Sequence, residues 1–72
     1  MKLKQLDLHG VQHWEVNVKV MEFVYLNQED VPLEIIAGNS DKMIKLVERT
    51  LTDIKVDKWE QTRYGVFVIR VV

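Results

Sequence analysis

The chain lacks cysteine altogether, which narrows the ways in which so short a sequence can be held together. No disulfide can form, and a zinc site with thiolate ligands is excluded. The 72 residues include one proline and three glycines, so few positions interrupt helices or strands. We therefore expect a single domain over residues 1–72, with one small hydrophobic core, in a reducing compartment.

Long apolar runs and an excess of either charge are also lacking. Charged residues interrupt each apolar run well before the roughly 20 residues that span a bilayer, and the N-terminus has no signal-peptide core. Ten basic and eleven acidic residues give a net charge of −1, so binding of nucleic acid would need a local basic patch. These properties predict a soluble, cytoplasmic protein without a membrane partner.

Hydrophobic patterning divides the chain into six elements. Alternation over 2–9 and a short β-branched stretch at 33–38 predict two strands. The charged stretch 55–62 predicts an edge strand, and the apolar stretch 66–72 predicts an interior strand after a hairpin. Helical spacing predicts a first helix over 11–27 and a second after Gly38. The order β-α-β-α-β-β predicts an α/β two-layer sandwich with a mixed four-stranded sheet and both helices on one face.

The helical spacing also predicts which side chains form the core. The first stripe consists of Val11, Trp14, Val18, Met21 and Tyr25, and Val20, Phe23 and Val24 widen it. The second stripe consists of Ile44, Val47, Leu51 and Ile54, after a cap by Asn39 or Ser40. Trp14 is accordingly expected in the core rather than stacked on bases. A core this small gives modest stability, so the sequence does not exclude a homodimer. Its interface would lie on the sheet face that no helix covers.

An aspartate and a histidine, both with side chains that can take part in catalysis, lie at the end of the first strand, in the sequence LDLHG at 6–10. Because side chains alternate along a strand, Asp7 and His9 share the face opposite to the two leucines. Histidine exchanges protons near neutral pH, and an aspartate beside it can orient it or hold a cation. The alternative interpretation is a surface histidine in a turn, beside an aspartate paired with Lys2 or Lys4.

The topology predicts that both helices start at the same edge of the sheet. Right-handed β-α crossovers bring Gly10 and Gly38 to that edge, where helix amides can bind an anion. Amides that stabilise charge, and a histidine that moves a proton, are the groups that phosphodiester cleavage requires.

Three stretches, LDLHG at 6–10, EIIAGNS at 34–40 and YGVFVIRVV at 64–72, resemble the Smr domain, the small MutS-related module. The resemblance spans nearly the whole chain. It implies the fold of the C-terminal domain of translation initiation factor three, and DNA or structured RNA as the partner. It also implies nicking or cleavage of that nucleic acid, with Asp7 and His9 as catalytic residues. No cofactor is firmly implied; a divalent metal, magnesium or manganese, is left open.

The family's later motifs are only partly present. Of the second motif only Gly38 is kept, so the motif's own cation is missing and Lys42 is the candidate replacement. Arg63 offers a phosphate contact near the third motif. The phosphate-binding residues implied are Gly10, Gly38, Asn39, Ser40, Lys42, Arg63 and Gly65. Two functions stay open: a nicking endonuclease acting on DNA or structured RNA, and a non-catalytic Smr-like module that binds nucleic acid or a larger protein partner.

Other candidate residues give weaker signals. His9 and His13 are four apart, but a glycine turn separates them and no third ligand is evident, so no zinc site is expected. Lys45 and Arg49 continue the basic face of the second helix, which is either a phosphate surface or a solvated face. Arg70, among valines, is either functional or paired.

Overall fold

The computed structural model of the protein describes residues 3–72. It contains β1 (Lys4–Asp7), α1 (Val16–Leu26), β2 (Leu33–Ile36), α2 (Asp41–Asp53), β3 (Lys58–Arg63) and β4 (Val66–Val71). Single turns of 3-10 helix lie before α1 at His13–Glu15 and after it at Gln28–Asp30. The strands form one mixed sheet in the order β1-β2-β4-β3, which confirms the predicted α/β sandwich. None of the helices in this part of the chain has the length and apolar character needed to cross a bilayer.

β4 lies inside the sheet because its side chains are apolar on both faces. It pairs antiparallel with β2 and with β3, whereas β1 and β2 are parallel. The charged strand β3 lies at an edge, as its sequence predicts. Trp59 of β3 packs against the core, with its ring 5.8 Å from the ring of Phe67.

A single core fills the space between the sheet and the two helices, which also contact each other. Its largest fully buried side chains come from every layer of the fold: Phe67, Leu8, Leu33, Ile35, Leu51, Ile69, Val16, Val20, Val24 and Val47. The second helix contributes as predicted, since Ile44, Val47 and Leu51 are buried. Ile54 lies just after its last turn and is half-buried.

The core stripe of α1 differs from the predicted one. Val20 and Val24 are buried as predicted, and Val16, which the prediction left out, is buried with them, whereas Trp14, Val18 and Tyr25 are exposed. The prediction that Trp14 is a core residue was therefore wrong. The reason is that α1 carries two apolar stripes at helical spacing on opposite sides, and spacing alone cannot tell which of them meets the sheet.

The first helix also begins later than predicted, at Val16 rather than at Val11. The amide of Val11 donates to the carbonyl of Leu8 at 3.0 Å, which closes a turn around Gly10. Gln12 then has extended backbone, and its side chain makes no capping hydrogen bond. Without a cap, the chain passes through one 3-10 turn before the helix becomes regular.

Candidate functional site

Three loops lie at the edge of the sheet where β1 and β2 end. β1 and β2 are parallel neighbours, so both of their carboxyl ends reach this edge. β4 runs the opposite way and begins there, with Val66 opposite Ile36, so the β3–β4 hairpin turns at the same edge. We call residues 7–11, 38–42 and 63–65 the rim. The rim contains every residue that the sequence predicts for the site.

Backbone hydrogen bonds tie the three loops of the rim together. The amide of Leu8 donates to the carbonyl of Ile36 at 2.9 Å, which joins the first loop to the second. The amide of Ala37 donates to the carbonyl of Gly65 at 2.7 Å, which joins the second loop to the hairpin. The rim is therefore a connected part of the fold rather than three separate loops.

Gly38 and Gly65 touch backbone to backbone. A Cβ built on Gly65 would lie 2.9 Å from the carbonyl carbon of Gly38, and closer still to its oxygen. Gly65 also has a φ of +76°, in the left-handed region. Gly65 is buried, and because it has no side chain the hairpin can pack against the loop that leads into α2.

Asp7 and His9 are both exposed at the rim, and they are connected through the backbone. The Oδ1 atom of Asp7 accepts a hydrogen bond from the backbone amide of His9 at 2.9 Å. This is the turn that aspartate commonly forms with the residue two positions on. Asp7 therefore fixes where the His9 backbone lies, and no contact between its carboxylate and the imidazole is seen.

The structure agrees only in part with the alternative interpretation, a surface histidine in a turn beside an aspartate that pairs with a lysine. The turn is present, but Lys4 pairs elsewhere: its Nζ lies 3.0 Å from Oδ2 of Asp30 and 3.1 Å from Oδ1 of Asn27. Lys2 lies outside the described residues. Lys4 therefore does not neutralise Asp7. Among residues 3–72, no hydrogen bond or ion pair to the second carboxylate oxygen of Asp7 is seen.

The start of α2 supplies amides and a cation to the rim. The hydroxyl of Ser40 accepts a hydrogen bond from the amide of Met43 at 3.2 Å, so Ser40, of the two predicted candidates, is the cap. The amides of Asp41 and Lys42 precede the first intrahelical hydrogen bond and point out of the helix. Lys42 and Asn39 are exposed beside them, and Arg63 is exposed where β3 ends, so two cations lie on the rim.

One side-chain hydrogen bond of the rim was not predicted from the sequence. The hydroxyl of Tyr64, in the hairpin turn, donates to Oδ1 of Asp41 at the start of α2. The partners are 23 residues apart, and only the strand order brings them together. Asp41 thus places a carboxylate at the positive end of α2, where it is held by Tyr64.

The pKa of Tyr64 offers a test of this contact. The hydrogen bond to Asp41, with smaller effects of burial and of the carboxylate's charge, raises that pKa above its ordinary value of 10.0. In a Tyr25→Phe background Tyr64 is the sole tyrosine, and the further change Asp41→Asn is expected to lower its pKa. Tyrosinate absorbance during an alkaline titration measures it, with circular dichroism reporting the fold.

The sign of the pH dependence follows from the same contact. Only the neutral phenol can donate to Asp41, so the stabilisation is complete below the pKa of an unfolded tyrosine. It is lost as the pH rises through the higher pKa of the folded protein. An unchanged titration curve in the Asp41→Asn variant would show that the two side chains do not interact in solution.

The remaining charged candidates lie away from the rim. Arg49 approaches Asp53 at 3.9 Å on α2, and Arg70 approaches Glu60 at 3.6 Å near the far end of β4. His13 lines a groove between the helices with Arg49 and Asn17. Among residues 3–72, no three His, Asp or Glu side chains are grouped closely enough to hold a metal ion. Among the described residues of the rim, Asp7 and Asp41 offer carboxylates that a metal brought by phosphates could share.

Comparison of the chain with protein-family models, with curated proteins and with solved structures gives no match. The structure itself places the protein in the fold class of α/β two-layer sandwiches, with strand order β1-β2-β4-β3.

Proposed function

We propose that the rim binds the sugar-phosphate backbone of DNA or structured RNA, and that the protein is a nicking endonuclease of the Smr type. The observation that carries this proposal is the convergence of the three loops: exposed Asp7 and His9, the start of α2, and the hairpin with Arg63 lie at one edge of the sheet. The match of LDLHG at 6–10 to the Smr motif adds to it.

The rim residues divide the chemical work among them. Lys42, Arg63 and the first amides of α2 offer positive charge and donors to phosphoryl oxygens. His9 takes a proton from the attacking water, or gives one to the oxygen that leaves. Water adds to phosphorus and one P–O bond breaks, so that one end keeps the phosphate and the other gains a hydroxyl. Asp7 positions His9 through the backbone turn.

One feature of the rim favours the second candidate, a non-catalytic module that binds nucleic acid, and another weakens both candidates. The carboxylate of Asp41 lies at the start of α2, where a phosphate would otherwise meet only positive charge. One oxygen of Asp7 is already engaged by the backbone of His9. The carboxylate of Asp41 opposes phosphate binding and so weakens both candidates, whereas the engaged oxygen of Asp7 weakens catalysis alone, because binding needs only cations on the surface.

The two candidates are separated by incubating the pure protein with supercoiled plasmid and with structured RNA. Each substrate is tested with magnesium, with manganese and with chelator, because the rim leaves metal dependence open. The proposal predicts nicked plasmid or shortened RNA, lost in both His9→Ala and Asp7→Ala. Binding that weakens steeply with salt, without strand breaks, would support the second candidate. Absence of both binding and cleavage would contradict the endonuclease and the nucleic-acid-binding module, and would point to a module that binds a protein partner.

A further inference from the structure

The outward side of α1 and of the turn before it carries apolar side chains that the described residues cover only in part. Trp14 is 78% exposed, Val18 49% and Tyr25 50%. Met21 is half-buried between them. We call these four residues the outer stripe. Leu26, 79% exposed, flanks its end.

The outward face of the second helix, α2, has the composition that is typical of a helix face in contact with solvent. The outward residues of α2 are polar or charged: Lys42, Lys45, Arg49, Thr52 and Asp53 are all exposed. Helices of soluble domains usually have this polar face, and a helix that is apolar on two sides is usually covered on both. The difference between the two helices indicates that the outer stripe is covered in the working protein.

The spacing of the outer stripe is that of a coiled-coil seam. Within α1, Val18, Met21 and Tyr25 follow one another at intervals of three and four residues, the spacing of a and d positions in a heptad, and Trp14 precedes them by four residues in the 3-10 turn. Such a seam packs well against another helix with the same spacing. We propose that the protein forms a homodimer in which the outer stripe of one copy packs against the outer stripe of a second copy about a two-fold axis.

The exposed area suits a weak dimer of this kind. At about 200 Å² for an aromatic side chain, Trp14 and Tyr25 together expose roughly 250 Å². Val18 and Leu26 bring the patch to roughly 400 Å², within the range of about 300–600 Å² for the largest patch on a monomer. Two such patches with their polar margins bury roughly 1,000 Å², at the lower limit for specific interfaces. An interface of this size is typical of a reversible dimer.

The charges along the margin of the stripe also permit two copies to meet. Glu15, Lys19 and Glu22 follow one another along one side of it. Lys19 lies between two carboxylates and can pair with an acidic residue of the second copy. A margin of mixed sign avoids the repulsion that a margin of one charge would cause between identical chains.

The open sheet face is a poorer surface for a second copy. Its apolar side chains Val66 and Val68 are already buried within the monomer. Polar pairs lie around them, with Glu34 accepting from Gln5 at 2.5 Å, and Arg70 near Glu60. The sequence led us to expect this face as the surface of any dimer, whereas the exposed apolar area lies on α1.

Sedimentation velocity over a range of protein concentrations tests the homodimer. The wild type is expected to pass from monomer to dimer in the micromolar range, and Val18→Lys to weaken the dimer by at least about tenfold. Thr52→Lys places the same side chain on the outward face of α2 and is expected to leave the dimer unchanged. Lysine favours helix more than valine or threonine does, so both variants should fold, and circular dichroism checks this.

Trp14→Ala provides a second variant, since a residue this exposed contributes little to the core. It is expected to weaken the dimer as Val18→Lys does. A wild type that stays monomeric to about millimolar concentration would overturn the proposal, and the stripe would then serve a partner of another sequence. A dimer that resists both α1 variants, or that Thr52→Lys weakens equally, would overturn it as well. The interface contains no residue of the rim, so these outcomes are independent of the proposed function.

Discussion

Replacing His9 with alanine is expected to lower the rate of strand cleavage by about two to four orders of magnitude, the usual contribution of a positioned acid or base. His9 is exposed on the rim and its backbone amide is held by Asp7, so the substitution removes the proton-transferring group without emptying the core. The rate is measured as the conversion of supercoiled plasmid into its nicked form, at equal concentrations of folded wild type and variant.

The matched control for this prediction is His13→Ala. The sequence has two histidines, and both are exposed. His13 lies in the turn before α1 and faces a groove between the helices, not the rim. The control should cleave at the rate of the wild type. An equal loss in both variants, or none in either, would show that His9 has no special role.

Two substitutions of Asp7 separate the turn from the charge. Asparagine keeps an oxygen that can accept the amide of His9, whereas alanine removes the acceptor. Because Asp7 acts on His9 through the backbone, Asp7→Asn should retain cleavage within about tenfold of the wild type, and Asp7→Ala should lose most of it. A loss in Asp7→Asn as large as in Asp7→Ala would instead mean that the negative charge takes part.

The second large effect is expected in Gly65→Ala, which should lower the free energy of unfolding by more than about 3 kcal/mol. The new methyl group would overlap the backbone of Gly38, and a φ of +76° adds a cost of about 1–2 kcal/mol for any residue with a Cβ. Small domains have stabilities near the low end of about 5–15 kcal/mol. Urea unfolding followed by circular dichroism therefore measures a much lower midpoint, or a chain that is largely unfolded.

Gly10→Ala is the matched control for that clash. Gly10 has a φ of +80°, yet a Cβ built on it meets no atom within 4 Å. Its substitution should cost only the backbone strain, about 1–2 kcal/mol. If the two variants lose the same stability, the close approach of Gly38 and Gly65 does not exist in solution, and the hairpin is not held against the start of α2.

The sequence predicted those elements in which a single pattern has a single interpretation. In α2 one apolar stripe and one polar face leave no doubt about orientation, and Ser40 stands where a cap is needed. β4 is apolar at nearly every position, which is possible only inside the sheet. Together with the general preference for right-handed crossovers, these two elements predict an interior β4 and place the loops of the rim at one edge.

For α1 the sequence predicted a helix but did not identify the face that meets the sheet, because two apolar stripes there have equally regular helical spacing. Val16, Val20 and Val24 are spaced by four, and Trp14, Val18 and Tyr25 also follow helical spacing on the opposite side. The larger side chains made the wrong stripe look like the core. Only packing against the sheet decides between the two faces, and no local rule contains that information.

The details of the rim depend on contacts between residues that are distant in the chain. The hydrogen bond from Tyr64 to Asp41 and the contact between Gly38 and Gly65 require the hairpin to fold back onto the start of α2. The turn from Asp7 to His9 is local, and the preference of aspartate for such turns could have revealed it. The sequence thus indicated which residues share the rim, but not which of them are already engaged with one another.

The proposed function requires above all that the rim binds a phosphodiester backbone. Titration of the nitrogen-labelled protein with a short oligonucleotide, followed by NMR of the backbone amides, tests this claim directly. We predict the largest shifts at residues 9–11, 38–42 and 63–65, and a weaker response as salt is added. Shifts confined to residues outside the rim, or no shifts at all, would contradict it.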